Sequence, residues 1–255
     1  LTFLALGDWG GLPDPPFVTP REVATAAAMG RAVTELGGDF VLALGDNFYY
    51  EGVRDEWDPR FQVTPGGGHP EIRGAGGNGA SCPHCRRVPV PVSPISQYPH
   101  IPVPQCPHIP TPPLSPCSLS HCPRILYPIV PVFVLVAGHY PVWSVAKHGP
   151  TPCLVRLLRP LLRRHRVTAY LCGHDHNLQY LEEGGVGYVL SGAGNFMEDS
   201  RPHDGSVPPG SLRFFFGTPT SPGGFAHLRL EPGAVTVTFL EATGRVLHRV
   251  TLPPR

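Results

Sequence analysis

Val167-Thr168-Ala169-Tyr170-Leu171-Cys172-Gly173-His174-Asp175-His176 runs from an apolar segment to a glycine and then to two imidazoles flanking a carboxylate. The apolar part has the length and composition of a buried strand, and strands buried on both faces read as continuous apolar runs. Three other stretches share the arrangement: Leu1-Thr2-Phe3-Leu4-Ala5-Leu6-Gly7-Asp8, Phe40-Val41-Leu42-Ala43-Leu44-Gly45-Asp46 and Phe133-Val134-Leu135-Val136-Ala137-Gly138-His139. In open α/β sheets, ligands gather just beyond the carboxyl ends of the strands. Asp8, Asp46, His139, His174 and His176 are therefore expected to face one shared metal site. One such run carries little; four with matching punctuation carry much.

Outward from these runs, the chain falls into three parts. Residues 1–62 read as strand, helix, strand. Thr19 suits the helix N-cap, Pro20 the first helical position, and Glu22 completes a capping box. Val23, Ala26, Ala27, Gly30 and Val33 offer a small-residue face for packing on a sheet, and Gly37-Gly38 ends the helix. The unit is a βαβ crossover, which implies parallel strands. Residues 132–255 return to a periodic pattern. A strand over 133–137 precedes a helix with apolar positions from Leu154 to Leu162, in which Pro160 is expected to kink or close the last stable turn. Strands over 167–171 and around Gly187–Leu190 follow, the latter leading into Ser191-Gly192-Ala193-Gly194-Asn195. The segments 226–230 and 234–240 alternate, as antiparallel strands with one solvated face do, and 246–252 follows them. Ala242-Thr243-Gly244-Arg245 reads as the last turn.

Between them, residues 63–131 hold half of the 34 prolines, no Asp and one Glu, Glu71, together with the near-repeat Pro99-His100-Ile101-Pro102 and Pro107-His108-Ile109-Pro110. Prolines this dense remove backbone donors and exclude helix and central strand. The segment reads as low-complexity and disordered. Of its five cysteines, Cys82 and Cys85 have the spacing of a zinc-binding pair and Cys117 with Cys122 offer a second, Cys106 standing between them, but the segment lacks the scaffold a zinc module needs.

At 255 residues the chain has room for one large α/β domain or two small ones. Its formal charge of +1 and the absence of a long basic stripe give no reason to expect a nucleic-acid partner. No apolar stretch approaches the roughly 18–20 residues of a membrane span. The chain opens inside its first strand with no cleavable apolar leader, so a removed signal peptide and a fragment are both compatible with it. No Asn-x-Ser/Thr acceptor occurs. Outside the Pro-rich part only Cys153 and Cys172 remain, and Cys172 reads as a small buried hydrophobe.

Asp8, Asp46, Tyr49, His139, His174 and His176 offer oxygen and imidazole donors without a thiolate, which favours iron, manganese or zinc. Asp46 has two oxygens and can bridge two ions about 3.5–4 Å apart, the separation at which a metal pair holds a phosphate and acidifies a bound water. Tyr49, three positions after Asp46, either packs beside Phe48 and Tyr50 or reaches a metal as a phenolate, which would favour ferric iron. Two imidazoles two residues apart beyond a strand have few structural uses. Asp175 between them is expected to orient one as a hydrogen-bond acceptor.

Gly7-Asp8-Trp9-Gly10-Gly11, Gly45-Asp46-Asn47-Phe48-Tyr49, Gly138-His139-Tyr140-Pro141-Val142-Trp143-Ser144 and Gly173-His174-Asp175-His176-Asn177-Leu178-Gln179-Tyr180 resemble the purple acid phosphatases. The resemblance covers residues 1–62 and about 133–255. It implies an α/β fold of the metallophosphoesterase type, a sandwich of β-sheets flanked by helices, interrupted here by the low-complexity segment. It implies an acid phosphatase that cleaves phosphate monoesters with a metal-bound hydroxide at a di-iron centre. Asp8, Asp46, Tyr49 and His176 would hold the ferric ion, and Asp46, His139 and His174 the divalent one. Phosphate monoesters or phosphoproteins would be the substrates, the chain monomeric, and its setting secreted or lysosomal.

The family carries a further Gly-Asn-His-Asp/Glu motif between its second and third ligand strands, whose Asn binds the second metal and whose His protonates the leaving group. It is missing here, so no catalytic residue is assigned with it, and activity is expected to be impaired. Asn78, in Gly77-Asn78-Gly79, lacks the following His. The Pro-rich segment stands where that motif, at least two core strands, a glycosylation site, an exposed loop and a disulfide partner for Cys153 belong in the family. The abrupt joins at Arg60-Phe61-Gln62 and near Val134 resemble translated non-coding sequence. The contrasting expectation is a catalytically inactive chain of the same fold that only binds metal or partners.

Overall fold

The computed structural model describes residues 1–55, 57–60 and 133–255. Asn78, the candidate zinc cysteines and the low-complexity reading of 63–131 fall outside them. Strand β1 (Thr2–Leu6) runs parallel to β2 (Phe40–Ala43), with Phe3 opposite Phe40 and Leu6 opposite Ala43. Helix α1 (Pro20–Leu36) makes the crossover. Its start follows from the sequence: the Thr19 hydroxyl accepts from the Glu22 backbone N–H at 3.1 Å, and the Thr19 N–H donates to the Glu22 carboxylate at 3.4 Å. Gly37 ends it at φ 86°, with its N–H on the Val33 carbonyl.

The remaining elements are β3 (Leu135–Ala137), α2 (Pro152–Arg164), β4 (Ala169–Cys172), β5 (Leu178–Glu183), β6 (Val186–Ser191), β7 (Leu212–Phe216), β8 (Gly224–Glu231), β9 (Ala234–Glu241) and β10 (Val246–Leu252). They form two five-stranded mixed sheets, ordered β10-β9-β8-β1-β2 and β3-β4-β6-β5-β7. Alternation along the strands then builds four layers. Phe3 and Ala5 of β1 face Leu171, Val189 and Leu178 of the second sheet, with Val237 and Phe239 beside them. Leu4 and Leu6 face the other way, onto Ala28 and Ala32 of α1. Tyr170, Cys172, Tyr188 and Leu190 cover the outer face of the second sheet under Leu154, Val155, Leu158 and Leu162 of α2. Hence the ligand-bearing runs are apolar on both sides wherever the sheet is covered on both sides.

Several expectations need correction. The runs leading to Asp46 and His139 are not buried strands. Phe40 is 43% and Val41 53% exposed, and β3 is only half-buried, because β2 and β3 each lie at the edge of their sheet among the described residues. The buried face of α1 is Glu22, Thr25, Ala28 and Ala32, with Val23 and Val33 exposed. Its small residues occur all round, so the face is chosen by tertiary anchors: the Arg21 guanidinium donates to the Ser221 and Pro219 carbonyls at 3.0 and 2.6 Å. Pro160 does not end α2, which continues to Arg164. Strand β8 is covered on both faces over most of its length, so the solvated-face pattern holds for β10 and the start of β9 only. Strands β5 and β7 were not anticipated.

Burial pushes the Glu22 carboxyl up to about 7 from 4.5, with the Thr19 N–H pulling it partly back, and one of its oxygens has no hydrogen-bond partner. The unfolded chain releases this proton first, so this group's contribution to stability is full below pH 4.5 and is lost as pH rises through about 7. A shift of this size is worth up to about 3 kcal/mol. Glu22→Gln keeps the cap geometry and should flatten this part of the stability profile relative to the parent, as measured by denaturant melts across pH.

Candidate metal centre

The carboxyl ends of β1, β2, β3 and β4 meet at one edge of the sandwich through short backbone bonds. The Gly7 N–H donates to the Ser191 carbonyl at 2.8 Å, Asp8 to Gly45 at 3.0 Å, and Gly173 to His139 at 3.0 Å. Two of the glycines are where the strands come closest. A Cβ on Gly173 would stand 2.3 Å from Asp8 Oδ2, and one on Gly45 would stand 2.5 Å from His139 Nδ1. At these two steps glycine precedes the donor because another strand's donor occupies the space a side chain would take. Asp8, Asp46 and His174 themselves adopt positive φ (56°, 50° and 73°), turning their side chains sharply off the strand ends. Such backbone costs of order 1 kcal/mol or more for a non-glycine residue and clusters at functional sites.

The six expected donors fall into two touching groups. Tyr49 Oη lies 3.4 Å from Asp8 Oδ1 and 3.2 Å from His176 Nε2, and His176 Nε2 is 3.7 Å from Asp8 Oδ1. His139 Nε2 lies 3.2 Å from His174 Nδ1 and 3.5 Å from Asp46 Oδ1. Donor atoms of Asp8, Asp46 and His139 all lie within 4.8 Å of one another, which joins the groups.

Charge in this cluster is poorly compensated by the protein. Asp8 is fully buried, and burial pushes its carboxyl up to about 8 although the His174 N–H, at 2.7 Å, holds it down. Burial, reinforced by the Asp8 and Asp46 carboxylates, drives the Tyr49 phenol far above its ordinary range. Burial pushes His174 down to about 4, with His148 and His139 adding to it, and lowers His176 as well. Every shift favours the neutral form. No described Lys or Arg pairs with Asp8 or Asp46. A cation reverses that balance, because it stabilises carboxylate, phenolate and neutral imidazole together. The donor set therefore fits metal ions, and all-oxygen-and-nitrogen ligation fits hard or borderline ones.

The supporting contacts differ from expectation at Asp175. It accepts from the Ser144 hydroxyl and, at 2.9 Å, from the His148 backbone N–H, with no hydrogen bond to either neighbouring imidazole. It therefore fixes the 139–148 loop. Gln179 completes that brace by donating to Ser144 Oγ and Asn177 Oδ1 at 2.9 and 2.8 Å. The atom that orients an imidazole is the Leu44 carbonyl, 2.9 Å from His139 Nδ1. Two further residues carry no signal in the sequence: His148, whose exposed ring lies tilted with its centroid 4.3 Å from that of His174, and Phe196, which packs against Tyr49 and His176. Neither has a local pattern; only the Gly-Asn turn leading into Phe196 marked its loop.

Two mixed sheets between helices, with carboxylate and imidazole donors converging at the strand ends, define a metallophosphoesterase. No protein-family model matches the chain. It is 44% identical over 297 positions to tartrate-resistant acid phosphatase type 5 of Oryctolagus cuniculus, spanning all of this chain and 91% of that protein. The Homo sapiens protein of the same name gives the same identity and coverage. Purple acid phosphatase 4 of Arabidopsis thaliana is 25% identical, over 98% of this chain and 82% of that one. The chain belongs to the purple acid phosphatase family. Among solved structures, "GAP50 the anchor in the inner membrane complex of Plasmodium" shares the fold, with a TM-score of 0.62 at 16% identity over all of this chain and 89% of that one. The alignments to the animal relatives run longer than this chain, 297 positions against 255 residues, so those relatives carry stretches that it lacks.

Gly173→Ala should displace the Asp8 carboxylate while leaving the sheets intact. Metal analysis of the purified variant is expected to give clearly less bound metal per chain than the parent, with an unchanged far-ultraviolet spectrum.

Proposed function

We infer that the chain is an acid phosphatase that hydrolyses phosphate monoesters at a two-metal centre, with activity reduced by the missing Gly-Asn-His motif. The observation that carries this reading is the convergence of Asp8, Asp46, Tyr49, His139, His174 and His176 into two touching groups joined at Asp46. Asp8, Asp46, Tyr49 and His176 would hold ferric iron, and Asp46, His139 and His174 a divalent iron. When bound, such a pair binds a phosphate ester across both ions and lowers the pKa of a coordinated water. The rest is done by the chain. The burial that pushes Tyr49 and Asp8 toward neutrality excludes water from the ferric side. The Leu44 carbonyl fixes the His139 ring so that its Nε2 faces His174 and Asp46. Asp175 holds the His148 backbone, which sets an exposed imidazole beside His174, where it can pass a proton to a leaving alkoxide. A secreted or lysosomal setting is part of the same reading and rests on family resemblance.

A specific observation favours a second reading: no Gly-Asn-His lies between Asp46 and His139. The chain would then keep the metal centre for binding alone.

Metal content, absorption and turnover of 4-nitrophenyl phosphate at acid pH separate them. The first reading expects bound iron, a visible tyrosinate-to-iron band that Tyr49→Phe abolishes, and turnover roughly 10²–10⁴-fold below the rabbit relative. His148→Ala should lower turnover again without changing metal content. Bound iron with no turnover supports the binding-only reading. Absence of any bound metal overturns both.

A further inference from the structure

The inward side of α2 is accounted for by Leu154, Val155, Leu158 and Leu162 packed on the second sheet. Its outward side is not. Leu157 and Leu161, one turn apart on that side, are 61% and 48% exposed, with Cys153 and Pro160 exposed on the same stripe. Arg156 and Arg164 flank the stripe, and Arg166 follows the helix, all exposed. No acidic residue lies within α2. Arg159 and Arg163 reach Glu183 at 2.6 and 3.4 Å, whereas Arg156, Arg164 and Arg166 have no acidic partner among the described residues. Arg255 adds charge at the same end, donating to the Val167 and Gly184 carbonyls at 3.1 Å each.

Single exposed leucines are ordinary. Two on one stripe ringed by unpaired arginines form a different object. An anionic polymer or an acidic peptide would be satisfied by the arginines and would leave the leucines in water. A bilayer surface uses both, because leucines enter the acyl boundary while guanidinium groups meet headgroup phosphates. Position agrees with this. The last turn of α2 leads through Val167-Thr168 into the amino end of β4, whereas the metal donors lie at the carboxyl ends of the strands. Arg164 and Arg166 lie at this end, and Leu157 and Leu161 lie on the side of α2 turned away from the second sheet.

We propose that the outward face of α2, Leu157 and Leu161 with Arg156, Arg164 and Arg166, docks the protein reversibly on an anionic lipid surface. This assignment rests on α2 alone and stands whether or not the chain turns over phosphate esters.

The test is co-sedimentation of the full chain with phosphatidylcholine vesicles containing or lacking phosphatidylserine, at low and high salt. Binding is expected only to the anionic vesicles and should fall as salt screens the arginines. Each arginine near such a surface contributes roughly fivefold in partitioning, so Arg156→Gln with Arg164→Gln should lower it more than tenfold. Leu157→Ser with Leu161→Ser should also lower it. Both pairs are exposed, and an unchanged melting temperature and metal content verify the fold. No binding at low salt overturns the proposal, as does binding that both variants retain. Binding lost with the arginine pair but kept with the leucine pair, alongside capture by heparin or polyglutamate, identifies a polyanion surface and also overturns it.

Discussion

The close approach of Gly173 to the Asp8 carboxylate is the constraint on which the rest of the molecule depends. A side chain at residue 173 would stand inside the space of Asp8 Oδ2, so the carboxylate keeps its place beside the end of β4 only because that residue is glycine. That contact lies at the one edge of the sandwich where donors are needed, while the sheets themselves are held together by the core of Phe3, Ala5, Leu171, Leu178 and Val189. It also buries Asp8 completely, which gives its carboxylate an electrostatic demand the protein does not meet with a lysine or arginine. Packing and charge are thus joined at a single contact: what places the Asp8 carboxylate also creates the requirement for cations.

The layers outside that contact keep it rigid. The first sheet is backed by α1, itself fixed by the Thr19–Glu22 capping box and by Arg21 on the loop before β8. The second is backed by α2 and by the buried brace of Asp175, Ser144, Asn177 and Gln179. Polar groups this deep are tolerable only when their hydrogen bonds are made, and a made network holds a loop to one geometry. The brace fixes the 139–148 loop, so His148 is set beside His174 by the buried Asp175 carboxylate, while His139 is oriented by the Leu44 carbonyl.

What could be read from the sequence follows from where the information is local. The strand-glycine-donor steps, the cap at Thr19 and the turn at Gly244 are written in neighbouring residues, and the donors they point to do meet in space. Burial of a strand is different, because it depends on its place in the sheet order. The Phe40 and Leu135 strands have core composition yet sit at sheet edges among the described residues, and nothing in their own residues says so. The face of α1 was misjudged for a related reason: alanine and glycine all round the helix carry no directional signal. His148 and the true role of Asp175 were hidden because both depend on a loop folding back onto the ligand strand, a long-range event without a sequence signature.

The division of donors between the sheets has one more consequence. Asp8, Asp46 and Tyr49 come from the first sheet and its loops; His139, His174 and His176 come from the second. In the proposed assignment each ion takes ligands from both, so neither could be held by one sheet alone. The centre would then act as a pair of rivets through the sandwich, drawing together segments that lie far apart in the chain. Chain-closing links of that kind remove disorder from the unfolded ensemble, and metal affinity becomes folding free energy. Loading with iron would then add stability to a sandwich already formed, and the loaded chain would resist unfolding more than the empty one.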